Sequence, residues 1–240
     1  NENLDFKHLF FQKPEIGTDV TIDYSEFLSF DSLDYLPVFP ANSGYQFTMV
    51  GFDNETSFKS DTGFVLLELF SIAVGDNRIP LGYLDRFTFY KTSLNMNIDN
   101  FTYKYNKFGT KPIISSIPEE AVISYTIDHL INFDLTFNHD YVRRSDSWSI
   151  PKSVSSEDCT KTTWTVECDQ QNYPTIKELP EELFTLYPSL GKLVDLRYAS
   201  SVFYLQSETY PEFITKEFDP NHDHIISSGY IEEYIRMREE

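Results

Sequence analysis

Apolar and polar positions alternate with period two through much of the first 142 residues. Val20, Ile22 and Tyr24 alternate with Thr21, Asp23 and Ser25, and Tyr45, Phe47 and Met49 alternate with Gln46 and Thr48. Successive side chains of a strand point to opposite faces, so both segments are expected to be strands buried on one side. Phe64 to Val74 is almost continuously apolar, Gly75-Asp76-Asn77 supplies turn chemistry, and Ile79 to Tyr90 resumes the apolar run. That order predicts a hairpin whose first strand is central and covered on both faces. Phe101, Tyr103 and Tyr105 then alternate with Thr102, Lys104 and Asn106, an aromatic face backed by a polar one.

The longest alternation runs from Ile123 to Tyr141, with His129 and His139 among the apolar positions. A helix does not tolerate period two over such a length. The segment is expected to be one long bent strand, or two strands broken by a bulge near His129-Leu130, where the pattern slips. The two histidines read as buried and hydrogen-bonded rather than as ligands or catalysts.

Beyond residue 144 the pattern changes. Ser145 to Glu157 is Ser-rich and contains Pro151, as expected of a loop or boundary. Leu179-Pro180-Glu181-Glu182-Leu183-Phe184 has Pro and acids where a helix starts, and Pro188 should end it. Val202 to Leu205 suggests a further strand. Tyr230, Ile231, Tyr234 and Ile235 after Ser228-Gly229 suggest a short amphipathic C-terminal helix. The organisation expected is a β-sandwich core over 1–144, a loop or boundary over 145–158, and a smaller hairpin-plus-helix part over 159–240 that packs on the same core or beside it.

Composition narrows the partners. The chain has 240 residues, 38 acidic side chains against 19 basic ones, and a formal net charge of -19. Such a field repels nucleic acid and anionic membrane surfaces and favours basic protein surfaces or simple solubility. No apolar run is long enough to span a bilayer as a helix. With Asn1 in place of an initiator Met, the chain is expected to be trimmed, processed, or part of something larger. Within the acidic whole, residues 78–111 form a basic, aromatic island. Arg86, Lys91, Tyr103, Lys104, Tyr105 and Lys107 from it make a candidate contact surface for protein or glycan, against a simpler reading in which the aromatics face a core and the lysines face water.

The nine glycines stand too far apart for a GxGxxG loop, a Walker A loop or a GxSxG elbow, and HExxH is absent. Adjacent acids such as Glu119-Glu120, Glu181-Glu182 and Glu232-Glu233 are abundant, and nothing in the sequence selects a catalytic pair among them. Cys159 and Cys168 are the only cysteines. In one extended strand they would lie about 30 Å apart, so a disulfide requires a hairpin turning near Lys161 to Thr163. A hairpin staple in an oxidising compartment is the expectation, with two free cytosolic thiols as the alternative. Asn54-Glu55-Thr56 and Asn100-Phe101-Thr102 match glycosylation sequons, but a chain rich in Asn, Ser and Thr contains such triplets by chance.

One loop carries ligand chemistry. Asp219, Asn221 and Asp223 place oxygens at alternate positions as calcium loops do, but His224 stands where the turn wants Gly, and Tyr230 where a bidentate Glu belongs. His222 and His224 on one side of an extended segment are a second way to bind a metal, here a transition metal. The simpler reading is a polar loop capping the last helix, with no cofactor.

These readings converge on a mainly β fold, an antiparallel β-sandwich with a smaller C-terminal part carrying one or two short helices. The expected function is a non-enzymatic, extracytoplasmic binding module for protein or glycan. Two alternatives stand beside it: a carbohydrate-active hydrolase using paired carboxylates, and an acidic cytosolic inhibitor or immunity-type protein that binds a basic partner.

Overall fold

The computed structural model describes residues 7–9, 16–17, 19–41, 43–72, 78–127, 130–150, 163–171, 173–187, 193–220 and 229–238. In chain order the elements are β1 (Lys7–His8), a 3-10 turn (Tyr24–Glu26), β2 (Leu28–Ser29), β3 (Ser32–Tyr35), β4 (Gly44–Phe52), α1 (Glu55–Lys59), β5 (Phe64–Ile72), β6 (Pro80–Tyr83), β7 (Phe89–Ile98) and β8 (Phe101–Gly109). There follow β9 (Ile123–Ile127), a 3-10 turn (Leu130–Asn132), β10 (Asp134–Phe137), β11 (Arg143–Ser149), β12 (Thr163–Cys168), α2 (Glu181–Leu186), a 3-10 turn (Leu193–Asp195), β13 (Arg197–Gln206), α3 (Tyr210–Glu217) and β14 (Ile231–Arg238).

Eight strands form one antiparallel sheet in the order β12-β11-β13-β14-β8-β7-β4-β5, and β1–β2, β3–β6 and β9–β10 are separate two-stranded pieces. The mainly β, antiparallel class expected from the alternation is the class observed. One face of the large sheet is the core face. Phe47 and Met49, Leu94 and Met96, Tyr103 and Tyr105, Ile235 and Met237, Phe203 and Trp148 are all buried there. Residues from β6, β10 and the loops, including Leu36, Leu81, Tyr83, Leu130, Phe133 and Leu135, join the same cluster and form a broken second layer. Phe137 stacks on Phe203 with centroids 3.8 Å apart, and Phe133 meets the edge of Trp148 at 4.8 Å, so aromatic contacts fasten the β9–β10 hairpin to the sheet.

Several local expectations are corrected. Residues 19–23 are not strand. Val20 and Ile22 are exposed, and the Asp23 carboxylate takes both the backbone N–H and the hydroxyl of Ser25 (2.8 and 2.7 Å), a local turn that competes with sheet pairing. The Ile79 to Tyr90 run is two strands of different sheets, because the Phe87 N–H closes a turn onto the Leu84 carbonyl. β6 pairs with β3, whereas β7 pairs with β4 and β8. β5 is therefore an edge strand rather than the centre of a hairpin with β6, and Gly75-Asp76-Asn77 lies outside the described residues. The 123–141 run breaks as the second of its two readings expects, into β9 and β10 around the Leu130–Asn132 turn; His129 lies outside the described residues.

Ser145 to Ser149, expected to begin a loop, belongs to β11, which pairs with β12 on one side and β13 on the other. Residues 230–235 are not a helix. Ile231–Arg238 is strand β14, hydrogen-bonded to β13 and to β8. Apolar residues at 231, 235 and 237 suit a strand face as well as a helix stripe, and pairing on both sides decides for the strand. Because β14 joins β8 to β13, strands from before residue 144 and after residue 159 share one sheet and one core.

Of the helices, α2 starts where its proline and acids predict, with Pro180 as the N-cap rather than the first helical residue. α1 and α3 carry capping boxes, Asn54 with Ser57 and Thr209 with Glu212, a signal present in the sequence at Thr209-Tyr210-Pro211-Glu212.

Candidate functional site

The face of the large sheet opposite the core is the candidate site. Strand register aligns its side chains in three rows. One runs Phe70, Gln46, Asn95, Lys104, Tyr234, Tyr204 and Arg143 across β5, β4, β7, β8, β14, β13 and β11. Beside it run Ile72, Gly44, Asn97, Thr102, Arg236, Val202, Ser145 and Glu167. On the other side run Glu68, Thr48, Ser93, Asn106 and Glu232. The central positions are amides and hydroxyls, and most of these side chains are half-buried or exposed.

The charges within these three rows balance. Lys104, Arg143 and Arg236 stand against Glu68, Glu167 and Glu232, so the three rows are neutral within a chain of net charge -19. Two of the cations are held by rings. Lys104 Nζ lies 5.8 Å from the Tyr234 centroid, Tyr234 and Tyr204 are 5.5 Å apart, and the Arg143 guanidinium is sandwiched between Tyr204 at 3.7 Å and Phe213 of α3 at 4.0 Å. Arg143 is also paired with Glu167 at 2.9 Å. These contacts hold the ladder rigid, because a cation over an aromatic face is fixed without giving up its charge.

The amide half of the face is only partly satisfied by itself. Ser93 donates to Asn106 at 2.8 Å, and Thr102 donates to Asn97 at 3.1 Å. Asn95 Oδ1 is shielded from solvent and has no hydrogen-bond partner among the described residues. A groove of about 500 Å³ runs here, lined by Gly44, Tyr45, Gln46, Phe70, Ser71, Ile72, Asn95 and Asn97. A second groove, of about 410 Å³, lies further along β4 between Asp61, Lys91 and Phe108. Phe70 is 86% exposed, Ile72 62% and Val65 61%, so the β5 edge of this face is its apolar rim.

The candidate contact residues read from the sequence do not converge. Tyr103 and Tyr105 are buried and form no contact surface: Tyr103 donates to Glu233 at 2.7 Å, and Tyr105 bonds to the backbone of Ile113. Alternation sends their neighbour Lys104 to the opposite face. Lys91 shares that face and pairs with Asp61 at 3.1 Å. Lys107 bonds to the Lys111 carbonyl, and Arg86 is bidentate on Asp53. Gln46, Thr102, Lys104 and Asn106 were legible as polar strand positions. Asn95, Asn97, Phe70 and Tyr234 were not, because only inter-strand register brings them into line.

A second polar group lies inside. Asp146 accepts from Arg144 at 2.9 Å and from the Ser201 hydroxyl, which in turn accepts from Tyr198. Burial pushes the Asp146 carboxyl up to about 6, against the pull of Arg144 and Ser201. Cys168 lies opposite Arg144 on β12 as a free, buried thiol, where the sequence predicted half of a disulfide; Cys159 lies outside the described residues. Burial raises the Cys168 thiol to about 11, which keeps it protonated and weakly nucleophilic.

Asp219 follows α3 and is exposed, whereas Asn221, His222, Asp223 and His224 lie outside the described residues. Among the described residues no three His, Cys, Asp or Glu side chains converge on a metal position. His139 Nε2 lies 2.8 Å from the Glu120 carbonyl oxygen. Glu232 and Glu233 point to opposite faces of the sheet, so this adjacent pair does not act as a catalytic dyad. No helix among the described residues is long and apolar enough to cross a membrane. Comparison with family models, curated proteins and solved structures finds no match.

Proposed function

We propose that the chain is a non-enzymatic binding module, for a protein or glycan ligand, whose contact surface is the outer face of the large sheet. One observation carries this reading: a face of aligned amides, hydroxyls and aromatics carries no excess of acids in a strongly acidic chain. Charge spread for solubility has no reason to spare one face, whereas a contact surface loses less desolvation energy when it carries few unpaired charges. The protonated thiol of Cys168 and the opposed Glu232 and Glu233 support the non-enzymatic side of the reading.

We place the module outside the cytoplasm, secreted or on the cell envelope. The free thiol of Cys168 favours a second reading, an acidic cytosolic inhibitor that binds a basic partner through the rest of its surface.

Hydroxyl-radical footprinting in native extract separates the two readings. Phe70 and Tyr234 report on the outer face, while Tyr35 on β3 and Tyr187 just beyond α2, both exposed, report elsewhere. Protection of Phe70 and Tyr234, relative to purified protein, is the expected result. Protection confined to Tyr35 or Tyr187 would overturn the assignment of the surface.

A further inference from the structure

We infer that the groove at the β5 end of the outer face is a subsite for a neutral oligosaccharide, an inference that rests on the outer face being the contact surface. Three features point to that chemistry. The first is charge. Among its described lining residues the groove holds no ionisable group other than Tyr45, although the chain as a whole is strongly negative. The described lining therefore offers a phosphorylated, sulfated or uronic ligand no cation to pair with, and charges further off are screened beyond about 8 Å at physiological salt.

The second feature is hydrogen-bonding type. A sugar hydroxyl both donates and accepts, and so does a carboxamide. Gln46 and Asn95 stand opposite one another on neighbouring strands, and Asn97 lies two residues along from Asn95 on the same face. Neighbouring strands are about 4.8 Å apart and alternate residues of one strand about 6.8 Å, so the three amides present both functions over the width of about one pyranose ring. Asn95 Oδ1 is the acceptor without a donor. With a small rotation of its amide, a ligand hydroxyl supplies one.

The third feature is Phe70. Its ring is 86% exposed at the end of the row that contains Gln46 and Asn95, and it offers the axial C–H face of a sugar a flat apolar platform. A protein interface of ordinary size would need an apolar centre. Here Phe70, Ile72 and Val65 form only a rim, and the floor is amide. Gly44 leaves the floor open, because no side chain stands between Ile72 and Asn97 in that row.

Calorimetric titration of the full chain with cellohexaose, maltohexaose, laminarihexaose, mannohexaose and chitohexaose tests the inference, with polygalacturonate as the anionic comparison. At least one neutral hexaose is expected to bind with a millimolar or lower Kd while polygalacturonate does not. Phe70→Ala and Asn97→Ala, both at exposed positions, are each expected to weaken binding by about tenfold, roughly 1.4 kcal/mol. Circular dichroism confirms that each variant is folded. Failure of every neutral hexaose overturns the inference, as does binding that both variants leave unchanged, or binding of polygalacturonate alone. If the hexaoses fail while Phe70 and Tyr234 are still protected in native extract, the glycan assignment falls and the outer face stands as a protein surface, with strand addition to β5 or a second copy of the chain as its occupant. If neither result is obtained, the contact-surface reading falls as well.

Discussion

Asp146 and Arg144 lie two residues apart on the same face of β11, with Oδ2 2.9 Å from Nε and both side chains buried. They form an ion pair inside the aromatic core, beneath Phe133 and Tyr173, whose ring centroids lie 5.6 and 5.8 Å from the Arg144 guanidinium. Burial dominates the carboxyl, which holds its proton up to about pH 6, against 3.8 for an ordinary Asp.

That shift fixes the sign of one pH dependence. Between pH 3.8 and 6 the unfolded chain has released the Asp146 proton while the folded chain keeps it, so the folded state binds more protons and stability falls as pH rises. The stability that Asp146 contributes is fully present below pH 3.8 and is lost as pH rises to about 6, a change of a few kcal/mol at most. Asp146→Asn cannot titrate. Urea denaturation of both proteins at intervals from pH 4 to 6.5 should show the deficit of the variant shrinking as pH rises. A deficit that grows would mean that Arg144, not burial, controls the carboxyl.

The Cys168 thiol should be inert in the folded chain. It is buried and held up at about 11, so iodoacetamide at neutral pH is expected to leave Cys168 unmodified until denaturant is added. Peptide mass mapping decides the point. Rapid labelling of Cys168 in native protein, or recovery of a Cys159–Cys168 linked peptide, would contradict the free buried thiol.

Phe133 should be the costliest single truncation in the second layer. It is buried against Trp148 and Tyr198, with centroids 4.8 and 5.3 Å away. Phe133→Ala removes those contacts and leaves a cavity, for an expected loss of about 3–5 kcal/mol, read as a lower urea midpoint. A loss below about 1 kcal/mol would mean that the β9–β10 hairpin is not fastened through this ring.

Strand β14 makes the last segment indispensable. Ending the chain at Gly229 removes the strand that joins β8 to β13. It strips the core of Ile235 and Met237, both buried, and should abolish cooperative unfolding by far-UV circular dichroism. A truncated chain that melts cooperatively near the parent temperature would show that the two halves fold independently.

Much of this architecture was legible where burial is one-sided. The alternations at 45–49 and 101–106 became strands, 123–141 yielded β9 and β10, and the slip at Leu130 marked the break between them. What stayed hidden depends on partners distant in sequence. Arg143 to Ser149 reads as polar because its buried positions carry Arg144 and Asp146, which satisfy each other. Tyr230 to Ile235 fits helix and strand patterns alike until β8 and β13 claim its hydrogen bonds. Phe64 to Ile72 looks doubly covered, yet Val65, Phe70 and Ile72 are exposed on an edge strand. The outer face was half visible. Its polar residues could be read strand by strand, but the row from Phe70 to Arg143 exists only in the register.

Photo-crosslinking in the native setting decides whether the outer sheet face is the contact surface. Benzoyl-phenylalanine in place of Asn97 sits on that face, and in place of Glu182 it sits on the exposed side of α2. Discrete adducts of higher mass are expected from the Asn97 position and none above background from Glu182. Equal labelling at the two positions, or adducts from Glu182 alone, would contradict that assignment.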